Sequence, residues 1–118
     1  MTNHRYVGRF APSPTGPLHF GSLVAALASY LDAKANGGRW LVRIEDLDPP
    51  REVTGSSTHI LKQLQALGMN WDDDVLYQST RLSAYERILQ QLENLEYCFN
   101  CDCSRQRVSG LGGVYDGR

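Results

Sequence analysis

The sequence predicts an α/β domain built on a largely parallel sheet. Short runs rich in β-branched and aromatic residues alternate with longer runs whose apolar residues recur at three- and four-residue spacing. Glycines and prolines punctuate the junctions between them. Strands alternating with helices at this pitch call for crossover connections, and those make neighbouring strands parallel.

Taken in order, Tyr6-Val7-Gly8-Arg9-Phe10 reads as a strand, stopped by the breakers between Ala11 and Pro17. A helix is expected from about Ser22, with Leu23, Ala26, Leu27, Tyr30 and Leu31 on one face and Gly37-Gly38 as its stop. Trp40 to Ile44 is a second strand, closed by an acidic, proline-containing turn from Glu45 to Pro50. A second helix spans Ser57 to Leu67, a short strand Val75 to Tyr77, and a third helix Ser83 to Leu95. Tyr97 to Phe99 reads as a further short strand. From Cys98 onward the composition changes to cysteines, arginines and glycines, so a boundary is placed there: 1–96 as one module and 97–118 as another.

The 118 residues suffice for one small domain. With 42% hydrophobic and 21% charged residues, the composition excludes disorder and collagen-like repeats. Twelve Lys/Arg against thirteen Asp/Glu exclude the strongly basic footprint of a simple nucleic-acid-binding domain. The charge is uneven, however: +2 over residues 1–51, −5 over 52–102 and +2 over the last sixteen, which suits an anionic ligand near the N-terminal third. No apolar run reaches the ~20 residues of a membrane span. The first residues lack the apolar stretch of a signal peptide, so a cytoplasmic, membrane-free protein is expected, and a monomer. Three clustered cysteines, Cys98, Cys101 and Cys103, do not read as a disulfide framework.

The chemistry concentrates between Arg9 and Ser22. Pro12, Pro14 and Pro17 stiffen this crossing, while Gly16 and Gly21 permit close backbone approach. His19 stands just before the helix, where free N–H groups and the helix dipole favour phosphate. Neither a Walker-type loop nor the Gly-x-Gly-x-x-Gly fingerprint is present. A phosphate site here would combine a histidine donor with helix-terminal amides.

Arg9 to Ser22 resembles the first signature of the class I glutamyl-type aminoacyl-tRNA synthetases. His19-Phe20-Gly21-Ser22 stands where that family has His-Ile-Gly-His, departing at the second and fourth positions. Gly38 to Asp46 resembles the family's second stretch, at the expected distance. Ser22, the run Glu45-Asp46-Leu47-Asp48-Pro49-Pro50-Arg51 and a Cys-x-Cys motif followed after eleven residues by Tyr115 are similar to the glutamyl-queuosine tRNA(Asp) synthetase branch.

That resemblance implies the first half of a Rossmann-like catalytic domain, followed by the start of a small zinc-binding insertion. It implies a ligase that activates glutamate with ATP and Mg²⁺, forming glutamyl-adenylate, and transfers it to the queuosine base of tRNA(Asp). Arg9, Phe10, Ala11, Pro12, Ser13 and Glu45 are then the expected glutamate site, with Arg9 meeting a carboxylate and Glu45 the ammonium. His19, Gly21 and Ser22 are the expected ATP site, with His19 the catalytic donor. Cys101, Cys103 and Tyr115 are the expected Zn²⁺ ligands, the fourth falling at residue 119. No Lys-Met-Ser-Lys-Ser-like loop is present, so the 118 residues alone are expected to have little adenylation activity. Two rivals stand beside this reading: a piece of an ordinary glutamyl-tRNA synthetase charging tRNA(Glu), and a noncatalytic binding module or gene remnant.

Overall fold

A computed structural model describes residues 6–114. Three parallel strands lie in the order β1-β2-β3, with β1 spanning Val7–Phe10, β2 Arg39–Ile44 and β3 Leu76–Tyr77. Between them run α1 (Phe20–Ala35) and α2 (Ser56–Ala66), and α3 (Leu82–Asn94) and α4 (Arg105–Gly110) follow β3. The expected α/β class with a parallel sheet is what the structure has. Contacts divide the chain into two compact units, one reaching to Ser83 and the other from Ala84 onward.

The core of the first unit lies on one face of the sheet. Register pairs Gly8 with Trp40 and Phe10 with Val42, and these residues, with Ile44, turn toward α1 and α2. Ala26 and Ala33 of α1, Ile60 and Leu64 of α2, and Met69 complete the buried cluster. Trp40 organises it: Phe10 stacks on its ring at 6.2 Å, Tyr30 meets it edge-on at 5.2 Å, and its indole N–H donates to Ser29 Oγ at 2.9 Å. Gly8 allows the close approach of α1, since a Cβ there would stand 3.0 Å from the Ala33 Cβ and 3.1 Å from the Ser29 carbonyl. The opposite pleat positions, Val7, Arg9, Leu41 and Arg43, are exposed or half-buried.

Helix α1 begins two residues before the expected Ser22, because His19 caps it: the ring Nδ1 accepts from the Ser22 amide at 3.2 Å. It ends as Gly37-Gly38 predicts. Gly37 adopts a φ of +60°, and the Gly37 and Gly38 amides donate to Lys34 and Ala33 carbonyls at 3.0 and 2.8 Å. Asp72 then fastens the start of β2, accepting from the Trp40 amide at 2.8 Å and pairing with Lys34 at 3.1 Å. The Trp40 amide first and Lys34 second hold its carboxyl below the usual range.

The second unit departs further from expectation. Tyr97 to Phe99 is not a strand: the chain turns at Glu96, whose φ is +58°, and the sheet ends at β3. Helix α4 was not foreseen; Ser104 caps it, its Oγ accepting from the Arg107 amide at 3.2 Å. The expected apolar stripe of Ile88, Leu89 and Leu92 on α3, with Leu95 just past its end, is exposed. Among the described residues no helix is long and apolar enough to cross a membrane.

Candidate functional site

The segment between β1 and α1 is fastened at every second residue. Pro12 and Pro14 carbonyls accept from the Glu45 and Val53 amides at 2.9 and 3.0 Å. Gly16 exchanges two hydrogen bonds with Ser56 Oγ, at 3.0 and 2.8 Å, and the Leu18 amide donates to Gln63 Oε1 at 3.0 Å. The inward residues are buried or half-buried, and Ser13, Thr15, Pro17 and His19 face outward. Prolines suit this arrangement, because only their carbonyls are needed as acceptors.

Among the clefts that border this segment, three hold residues expected to bind substrate. The largest, about 680 Å³, is lined by Arg9, Ala11 and Arg43 together with Asp32 of α1. A second, about 340 Å³, is lined by Ala11, Pro12, Ser13, His19 and Ser22. A third, about 240 Å³, is lined by Ser13, Thr15, Glu45, Asp48 and Glu52. Ala11 belongs to the first two and Ser13 to the last two, so the loop is the ridge between them. The second and third lie at the loops that follow β1 and β2, beyond the C-terminal ends of parallel strands, where open α/β sheets place their ligands. The largest also runs back along β1 to Tyr6 and Val7.

Of the glutamate-site residues expected from sequence, Arg9, Ala11, Pro12, Ser13 and Glu45 line these clefts. Phe10 also borders the second cleft, but its side chain is 8% exposed and stacked on Trp40, leaving mainly its backbone to a ligand. Of the ATP-site residues, His19 and Ser22 share the second cleft, whereas Gly21 does not line it. Gly21 instead makes room for the imidazole: a Cβ there would stand 3.2 Å from His19 Cε1. Because Nδ1 of His19 accepts from the Ser22 amide, the hydrogen-bond network puts the neutral ring's proton on Nε2, which lies 3.1 Å from Ser22 Oγ. That N–H faces a cleft at a helix N-terminus and can serve an incoming oxyanion. His59 is exposed on α2.

Two residues that sequence reading left as strand or turn formers belong to the site's frame. Arg43 donates from Nη2 to Glu45 Oε1 at 2.8 Å. The alternation of strand side chains, which puts i and i+2 on one face, was the available signal. Asp46 accepts from the Ser79 amide and hydroxyl at 2.8 and 2.6 Å. Partial burial pushes the Asp46 carboxyl up, but the Ser79 hydroxyl and amide outweigh it and hold the group below its ordinary value.

Among the described residues the cysteines are not gathered into a metal site. Cys101 is exposed, Cys103 is half-buried with Arg107 Nη1 2.7 Å from its sulfur, and Tyr115 lies outside the described residues. Among the described residues no three or more His, Cys, Asp or Glu side chains come together as a metal would need. The expected start of a zinc-binding insertion therefore finds no support in this donor set.

Comparison with known proteins bears on the same residues. The chain is 60% identical over 114 residues to a protein named glutamyl-Q tRNA(Asp) synthetase in Pectobacterium atrosepticum, a match covering 97% of this chain and 35% of that one. The same name and identity hold for a Shewanella oneidensis protein over 113 residues, 96% of this chain and 38% of that one. The chain thus spans little more than a third of the length of these relatives. Among solved structures, the glutamate tRNA ligase of Elizabethkingia meningosepticum, crystallised in complex with its amino acid, is similar with a TM-score of 0.74 and 34% identity. That match covers 92% of this chain and 23% of that one. Residues 6–111 match the family of class I tRNA synthetases (E and Q), catalytic domain, and the chain belongs to that family.

Proposed function

We propose that these residues form the first part of a ligase site that activates glutamate with ATP and passes it to the queuosine base of tRNA(Asp). The observation that carries the reading is the tie between Pro12 and Glu45, which brings the ends of β1 and β2 together and sets Arg9, Ser13, His19 and Glu45 around one loop. The names of these two relatives support the tRNA(Asp) target, and the catalytic-domain family supports adenylate chemistry.

In this reading Arg9 meets a substrate carboxylate and Glu45 the ammonium, with Ser13 and the Arg9–Ser13 backbone shaping the remaining wall. The reacting carboxylate oxygen attacks the α-phosphorus of ATP and pyrophosphate leaves with the bond's electron pair, giving glutamyl-adenylate. The contributions of this chain are positioning and charge stabilisation. His19 Nε2–H and the amides at the α1 N-terminus donate to phosphate oxygens as charge gathers there, and Mg²⁺ accompanies the nucleotide. Zinc at Cys101, Cys103 and Tyr115 belongs to the family resemblance, and no step runs through it.

The test is transfer of labelled glutamate by the intact protein to tRNA(Asp) with queuosine, tRNA(Asp) without it, and tRNA(Glu). Label only on the first supports the proposal. Label on tRNA(Glu) transfers the reading to an ordinary glutamyl-tRNA synthetase, and no glutamate-dependent ATP–pyrophosphate exchange leaves only a binding module.

A further inference from the structure

We infer that Arg43 is a positioning residue that holds Glu45 in the orientation needed to receive the substrate ammonium. The inference rests on the reading of Glu45 as the ammonium's partner. Arg43 and Glu45 stand two residues apart along and just beyond β2, so both fall on the sheet face that the core leaves open. Arg9 of β1 shares that face, and Arg9 and Arg43 both line the largest cleft. Arg43 Nη2 donates to one Glu45 oxygen, Oε1, at 2.8 Å. A carboxylate has room for further donors, so the second oxygen is open to an ammonium.

Stability does not explain this pair. Its side chains are 30% and 34% exposed, a setting in which ion pairs add little to folding. The Arg43 Nε is buried and has no hydrogen-bond partner among the described residues. Folded proteins seldom leave a buried donor unmet, and one that persists in the wall of a cleft marks a place where geometry serves another end. Asp32 is the acid that lines the largest cleft, and it already accepts from Tyr6 and Asn36, whereas Glu45 lines the neighbouring cleft with Ser13 and Thr15. With Arg43 committed to Glu45, Arg9 is left for a substrate carboxylate and Glu45 for the ammonium, so a diacid without an amino group has no need of the Arg43–Glu45 pair.

The experiment compares the wild-type chain with Arg43→Gln and Arg43→Lys, using L-glutamate and glutarate, the same diacid without its amino group. Dissociation constants are read by NMR titration. Arg43→Gln is expected to weaken L-glutamate by about tenfold while leaving glutarate unchanged, and Arg43→Lys to recover part of the loss. Equal losses for both ligands, or none for L-glutamate, overturn the inference. In the ligand-free chain the Glu45 side-chain ¹³C carboxyl resonance is expected to move on Arg43→Gln, and an unmoved resonance also overturns it. If the wild-type chain binds neither ligand, the amino-acid site itself fails and the ammonium role falls with it. The carboxyl resonance then still decides whether the clamp exists.

Discussion

The Asp46 carboxylate takes both hydrogen-bonding groups of Ser79, the amide at 2.8 Å and the hydroxyl at 2.6 Å, and so ties the turn after β2 to the turn after β3. Asp46 directly follows Glu45, whose own amide is bound to the Pro12 carbonyl. The position of Glu45 is therefore fixed from three sides: by Pro12, by Arg43 and through its neighbour by Ser79.

Removing the Ser79 hydroxyl by Ser79→Ala leaves the amide contact in place. The expected cost is about 1 kcal/mol, at the low end for a charged acceptor because the pair is largely exposed. Chemical denaturation checks it through the midpoint, with an unchanged slope showing that the unfolded state is unaltered.

The same clamp carries a pH dependence. The folded Asp46 carboxyl lies below its ordinary value of 3.8, so the unfolded chain binds this proton more readily than the folded one. The clamp's contribution is complete above the ordinary value and is lost as pH falls through the lowered folded value. Denaturation of wild type and Asp46→Asn, measured from about pH 5 down to about pH 2, should show a stability gap that narrows with acid. A constant gap contradicts the assignment.

His19 has two separable tasks. His19→Ala removes the α1 cap and is expected to cost about 1 kcal/mol of stability. His19→Asn restores a capping oxygen, so it should fold nearly as well as wild type while lacking the Nε2 donor. In an intact, active protein both variants should lose roughly 3–4 kcal/mol of transition-state stabilisation. Full pyrophosphate exchange in His19→Asn would show that the ring is only a cap.

Gly38→Ala is expected to damage the first unit severely. A Cβ at Gly38 would stand 2.2 Å from the Tyr6 carbonyl oxygen, and backbone on both sides must move apart to admit it. The predicted loss is about 3 kcal/mol or more. Gly37→Ala, at a φ of +60° with open space around it, should cost only about 1 kcal/mol. Melting temperatures of the two variants rank the effects directly.

The legible parts of this fold were those written in local pattern. Trp40 to Ile44 announced a strand, and Gly37-Gly38 announced a helix end, because both signals are carried by adjacent residues. Helix α1 starts two residues before its pattern suggests, since histidine is not among the favoured capping residues and its ring acts here through Nδ1. Tyr97 to Phe99 looked like a strand by composition, but strand formation needs a neighbour's ladder, which no local pattern reports. The loop from Arg9 to Ser22 stood out by its prolines and histidine. Its fastening by Ser56 and Gln63, some forty residues away, depends on tertiary packing, as does the Asp46–Ser79 clamp.

The most direct measurement is an NMR titration of this chain with a non-hydrolysable analogue of glutamyl-adenylate. Amide shifts confined to Arg9–Ser13, His19–Ser22 and Glu45, abolished by Glu45→Gln together with Arg9→Gln, are the predicted result. Saturable binding that leaves those amides unmoved, or shifts gathered elsewhere on the chain, would contradict the assignment of the ends of β1 and β2 as the site of glutamate activation.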